Sequence, residues 1–231
     1  MIIILLSCIW AAYITTTFYP VFLFDKKTKH DNYFIYSDNE TDFGNVVNTI
    51  DSLLQKSEIY ETYDFEIALC DSYSKYAFLS NIAYDSFGIA KSFTNFIILS
   101  KTDIKNNLII AATKANNKRK ISTVLAHEIT HILISKHYGL YRFIIPKWKE
   151  EGYCEYIAND SSYDTGKGIE NFINQETDNT LSYDYFKYRL CITYLIDVKE
   201  KSFSQIVEED IKVKDIENEI RDYLKSGNFI F

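Results

Sequence analysis

Three residues on one short stretch could do chemistry together: His127, Glu128 and His131 in Ala126-His127-Glu128-Ile129-Thr130-His131. On a helix, two histidines four apart leave the same face one turn apart. Their imidazoles can grip one metal ion at about 2.0–2.1 Å each, the ordinary Zn–N distance. Glu128 follows the first imidazole about 100° further round the helix. It can therefore reach a metal-bound water without ligating the metal, as a general base must. The chain has four histidines, His30, His127, His131 and His137, and two of them fall at this spacing with a Glu in place. The competing reading is a helix with two solvated histidines. The flanks argue against it. Ile121, Leu125, Ile129, Ile132 and Leu133 cover the side opposite the histidines, and Val124 and Ala126 add apolar surface elsewhere. A helix apolar almost all round is a buried one, and buried histidines need partners.

A catalytic zinc site uses three protein ligands and keeps one position open. The segment Pro146-Lys147-Trp148-Lys149-Glu150-Glu151-Gly152-Tyr153-Cys154-Glu155-Tyr156 is where the third is expected. Nineteen residues lie between His131 and Glu151, room for the end of one helix, a connection and the start of another. Pro146 suits the first turn of that second helix.

The two motifs together, His127-Glu128-x-x-His131 followed by Trp148-x-x-Glu151-Gly152-x-x-Glu155-Tyr156, resemble the gluzincin metallopeptidases, in particular the compact peptidase MA-like type. The resemblance covers roughly residues 121–160. It implies that the Glu before the Gly, here Glu151, is the third ligand of one Zn2+ per chain. Glu150 competes as a carboxylate, but Gly152 puts Glu151 in the family's place. Cys154 is a chemically possible ligand, yet it stands three residues on and would need a rotated helix to replace Glu151. Glu155 lies one turn after Glu151, where a carboxylate can accept a ligating histidine's free ring N–H and fix its orientation. By the resemblance it would support His127; the alternative is an ordinary helix-surface Glu. Trp148 and Tyr156 read as packing residues. The family often takes an oxyanion donor from the helical region downstream, which points to Tyr185. Tyr188 shares its face at i, i+3.

Residues 2–24 contain no charge, and Asp25-Lys26-Lys27-Thr28-Lys29-His30 ends the run. As a helix, 23 residues reach about 35 Å, against a hydrocarbon core of about 30 Å. The run is therefore expected to be a single-pass membrane anchor, with Trp10, Tyr13 and Tyr19 suited to its interfaces. A cleaved signal peptide, a lipoprotein signal ending at Cys8 and a buried helix are the competing readings. The lysines after the run have almost nothing before it to be compared with, so the side of the membrane stays open.

Residues 25–231 suit one domain with a core. The chain's net charge of −7, all carried after the apolar run, and the absence of a basic stripe exclude a nucleic-acid role. Cys70, Cys154 and Cys191 are too few and too odd in number for a disulfide framework.

Alternation predicts strands at 32–36 and 65–70, and a hairpin-like pair at 89–93 and 95–100. Caps and periodicity predict helices at 43–55, 72–81, 169–175, 183–198, 203–209 and 215–225, with Gly139 closing the helix of the paired histidines. Residues 114–120 and 161–168 read as loops. The expected fold is α+β and zincin-like, with a mixed α/β N-terminal half, a small sheet and a helical C-terminal half. In such folds an edge strand before the metal helix takes peptide as an added strand, and Asn95–Ser100 is the candidate.

The expected function is zinc-dependent hydrolysis of a peptide or protein substrate by a membrane-anchored metallopeptidase. The metal would lower the pKa of its water and Glu128 would take the proton. No Gly-rich amine-anchoring motif is present, which leans toward an endopeptidase. The alternative is a non-catalytic zinc-fold binding or sensory module, against which the intact Glu128 counts.

Overall fold

The computed structural model describes residues 2–91, 93–110 and 118–231. The fold is α+β, with a small sheet and a helical half. Two compact units are distinguished, residues 1–51 with 61–132, and residues 52–60 with 133–231.

The first unit starts with α1 (Ile2–Phe18), a 3-10 turn over Pro20–Leu23, β1 (Lys26–His30) and β2 (Tyr33–Ser37). Then come α2 (Gly44–Leu54), which runs past the end of the unit, β3 (Phe65–Leu69), α3 (Tyr73–Ser80), β4 (Gly88–Ala90) and β5 (Phe96–Leu99). Short strands β6 (Thr102–Asp103), β7 (Leu108–Ile110) and β8 (Lys118–Lys120) precede α4 (Ile121–Tyr138). The second unit holds the end of α4, then α5 (Lys147–Ala158), α6 (Thr165–Asn174) and α7 (Leu181–Thr193). A π-helical turn over Tyr194–Val198, α8 (Phe203–Glu208) and α9 (Val213–Lys225) complete it.

The larger sheet has the order β1-β2-β3-β5-β4. Its centre, β2-β3-β5, is parallel, and both outer strands are antiparallel to their neighbours. Every residue of β5 is buried, as expected of a strand covered on both faces. One face packs Tyr36, Ala68, Phe96 and Ile98 against Tyr76 and Leu79 of α3.

That packing overturns the membrane anchor. Among the described residues no helix is long and apolar enough to cross a membrane. The apolar run does not stay helical, because Pro20 lacks an N–H and disfavours helical geometry in the residue before it. Tyr19 accordingly leaves the helix with φ −129° and ψ 68°. At 17 residues α1 is about 26 Å long, short of the roughly 30 Å of a hydrocarbon core. The rest of the run joins the domain: Phe24 is part of the core on this sheet face, and Val21 and Leu23 pack against it.

The expected peptide-binding strand is also corrected. β5 lies between β3 and β4, so both its edges are paired; the sheet's edge strands are β1 and β4, and it is β4 that meets Glu128. Of the expected loop at 114–120, residues 114–117 lie outside the described residues, whereas 118–120 form β8. The loop expected at 161–168 gives way to α6 at Thr165, because the Asp164 side chain accepts the Lys167 N–H and caps the helix early.

Candidate metal centre

In the first unit α4 is held at its start by Asn107, a residue in the left-handed region that β7 follows directly. Its backbone carbonyl accepts Ile121 N–H at 3.2 Å, and its side-chain oxygen accepts Ser122 N–H at 3.2 Å. Two of the helix's orphan donors are thereby satisfied from outside. The helix is buried nearly throughout its first fourteen residues, as its apolar flanks require. It ends at Tyr138, and Gly139 follows at φ +55°, where a glycine costs least.

His127 is 7% exposed and His131 half-buried. Their Nε2 atoms lie 3.2 Å apart, with ring planes 75° from each other. Two nitrogens bound at 2.0–2.1 Å to one tetrahedral ion stand about 3.3–3.4 Å apart. The pair is thus spaced for one ion, although the same distance also admits an N–H···N bond. Glu128 points to the sheet edge: its Oε2 accepts the Ala90 N–H at 2.8 Å. Gly88 leaves the room for this, since a Cβ there would stand 3.4 Å from Glu128 Cγ and 2.8 Å from a Leu99 methyl.

In the second unit α5 begins after Pro146, which is the cap residue rather than the first helical one. Glu150, the competing carboxylate, is taken by Arg142, whose Nε and one terminal nitrogen donate to Oε1 at 2.9 and 2.6 Å. Lys149 is buried and donates to the Glu209 carbonyl at 2.7 Å; burial pulls its pKa down. Trp148 is buried and packs. Tyr156 donates to Asp197 at 2.8 Å, and burial, with that carboxylate, pushes its pKa up.

At Gly152 the backbone of α7 lies directly against α5. A Cβ at this position would meet the Tyr188 carbonyl oxygen at 2.5 Å and Ile192 Cγ1 at 2.7 Å. The Glu-Gly pair therefore has a packing cause: only a residue without a side chain lets the two backbones touch. Tyr188 stands near enough to Glu151 for that charge to help raise its pKa, after burial and Asp184. Tyr185, the expected oxyanion donor, lies 6.2 Å from Tyr188 between ring centroids, and its ring sits under Lys147 Nζ at 5.2 Å. Glu155 is 1% exposed, which rules out the surface-Glu reading, because a buried carboxylate demands partners.

Among the described residues, His127, His131 and Cys154 make up a group that could hold a metal ion. Its third member is Cys154, one helical turn from Glu151 on α5. Sequence reasoning missed Asn107 and the Gly88–Ala90 edge. Nothing in their residue types marks them; only pairing partners far along the chain do.

No protein-family model, no curated protein and no solved structure matches this chain.

Proposed function

We propose that the protein is a gluzincin-like zinc metallopeptidase. One observation carries the reading: the 3.2 Å separation of the His127 and His131 Nε2 atoms, with Glu128 between them in sequence and at the edge strand in space. His127, His131 and Glu151 would hold the ion, with Glu155 behind His127. Bound zinc supplies a Lewis acid that activates water and polarises a carbonyl. Glu128 accepts the proton of the attacking water and passes it to the leaving amine. Its hydrogen bond from Ala90 holds one carboxylate oxygen at β4 and leaves Oε1 to carry the proton. The donor to the oxyanion would come from α7, where the sequence motif favours Tyr185 and Tyr188 is its neighbour on the same helix.

A second reading rests on Cys154. A His127-His131-Cys154 set would hold the ion without Glu151, and a fourth protein ligand closing it would make it part of a non-catalytic binding module, since closed structural sites use four.

Metal analysis of purified parent, Glu128→Gln, Glu151→Gln and Cys154→Ser, with hydrolysis of a peptide library, separates the two. The peptidase reading expects one zinc in the parent and in Glu128→Gln, hydrolysis only in the parent, and weakened metal binding in Glu151→Gln. Metal loss in Cys154→Ser but not in Glu151→Gln, with no hydrolysis by the parent, establishes the second reading instead.

A further inference from the structure

We propose that the first half of α1 inserts into an anionic lipid surface without crossing it, and that Lys27 and Lys29 supply the attraction to the headgroups. This inference is independent of the peptidase reading.

α1 carries no charge. Ile4, Leu5, Leu6 and Trp10 are 69%, 61%, 60% and 67% exposed. Successive helical residues point about 100° apart, so Ile4, Leu5 and Leu6 present apolar surface in three directions. The second half of the helix is the part tied to the domain. The Tyr13 ring meets Phe78 edge-on at 5.3 Å, its hydroxyl bonds Asn81, and Thr17 is fully buried.

An apolar surface that points every way selects its cover. A second copy of the helix, or a groove on a protein, covers a stripe about 100° wide and leaves the other directions in water. Acyl chains close around the helix on all exposed sides. Trp10 and the exposed Tyr19 are side chains suited to the headgroup boundary.

Charge points to the same partner. β1 pairs with β2 so that Lys27 lies opposite Tyr36 and Lys29 opposite Phe34. Lys27 Nζ sits over the Phe34 ring at 4.6 Å and Lys29 Nζ over it at 5.1 Å. Phe34 and Tyr36 belong to the sheet face on which Val21 and Leu23 pack, so both lysines flank the segment that leads out of α1. Basic residues beside an apolar helix bind anionic headgroups, and most of that attraction falls off within a Debye length.

The test is flotation of the full chain with phosphatidylcholine vesicles, with and without phosphatidylglycerol. Binding to the anionic vesicles is expected, reduced by salt and lost in Leu6→Glu. Lys27→Glu with Lys29→Glu should weaken it on the order of tenfold or more. The exposed Cys8 should react with a soluble maleimide in buffer and be protected on anionic vesicles. All the altered side chains lie at the surface, so unchanged thermal unfolding of the variants is the control for folding. A chain that stays in the soluble fraction at every composition overturns the proposal. So does equal binding to neutral and anionic vesicles, or a dimer in solution that Leu6→Glu turns into a monomer.

Discussion

Gly152→Ala tests the close crossing of α5 and α7, which also carries Glu151. Two effects oppose each other. Alanine is favoured over glycine inside a helix by about 1 kcal/mol. Against this, the new Cβ would stand 2.5 Å from the Tyr188 carbonyl oxygen, where carbon and oxygen ordinarily keep about 3.3 Å, so α7 must shift by about 0.8 Å. The obstacle is backbone, and Ile192 Cγ1 at 2.7 Å blocks the same space. Overpacking of this kind costs about 1–3 kcal/mol, and a backbone obstacle belongs at the upper end. The net loss is about 2 kcal/mol, or about 4–8 °C in Tm for a chain of this size. Thermal unfolding followed by circular dichroism reads it directly. Gly166→Ala is the control, since its Cβ would meet only Asp164 Oδ1 at an ordinary 3.5 Å; it should be neutral or stabilising. If Gly152→Ala melts at or above the parent, helix propensity has won and the crossing is looser than described.

Glu128→Gln should keep its metal and lose hydrolysis by about 100-fold or more, the scale of a general base; activity within threefold of the parent, by initial rates, would remove Glu128 from the reaction. Glu58 accepts the Phe203 and Ser204 N–H groups at 2.9 and 2.8 Å and so caps α8. Glu58→Ala should cost about 1 kcal/mol in urea unfolding, as the loss of a helix cap does. Asp178 accepts the Tyr163 hydroxyl at 2.7 Å, and that bond, with one from Thr180, holds its pKa below the usual carboxylate value. Its contribution to stability is present above the unfolded pKa of about 3.9 and is lost as pH falls through the lower folded value. The acid-induced drop in Tm should therefore be smaller in Asp178→Asn, and an identical acid profile would discount the bond. Burial raises the Cys70 thiol to about 12 and the Cys191 thiol further, and Cys154 is buried too. Only Cys8 of the four should react quickly with a thiol reagent under native conditions; a second fast thiol would show that the core opens.

The helical elements were legible where caps and periodicity agree. Ser72 caps α3 through the Lys75 N–H and Ser202 forms a capping box with Gln205, and both helices start where those residues stand. The short strands were not legible. β1 is Lys-Lys-Thr-Lys-His, with no apolar alternation; it is a strand because β2 offers it an edge, and its lysines keep that edge from pairing further. β6, β7 and β8 are two or three residues each, too short to carry a period.

The spacing of His127, Glu128 and His131 by itself determined that two imidazoles and a carboxylate share one helix, because helical geometry follows from local backbone angles. The apolar flanks likewise determined that this helix is buried. Tertiary structure alone decided that the end of the N-terminal apolar run packs on the sheet, which strand is the edge beside Glu128, and why a glycine must follow Glu151. Each depends on a partner far along the chain: the sheet face that takes Val21 and Leu23, the β3–β5 pairing that seals β5, and the α7 backbone against Gly152. Contacts of that kind depend on how elements pack, and no local pattern of residues encodes them.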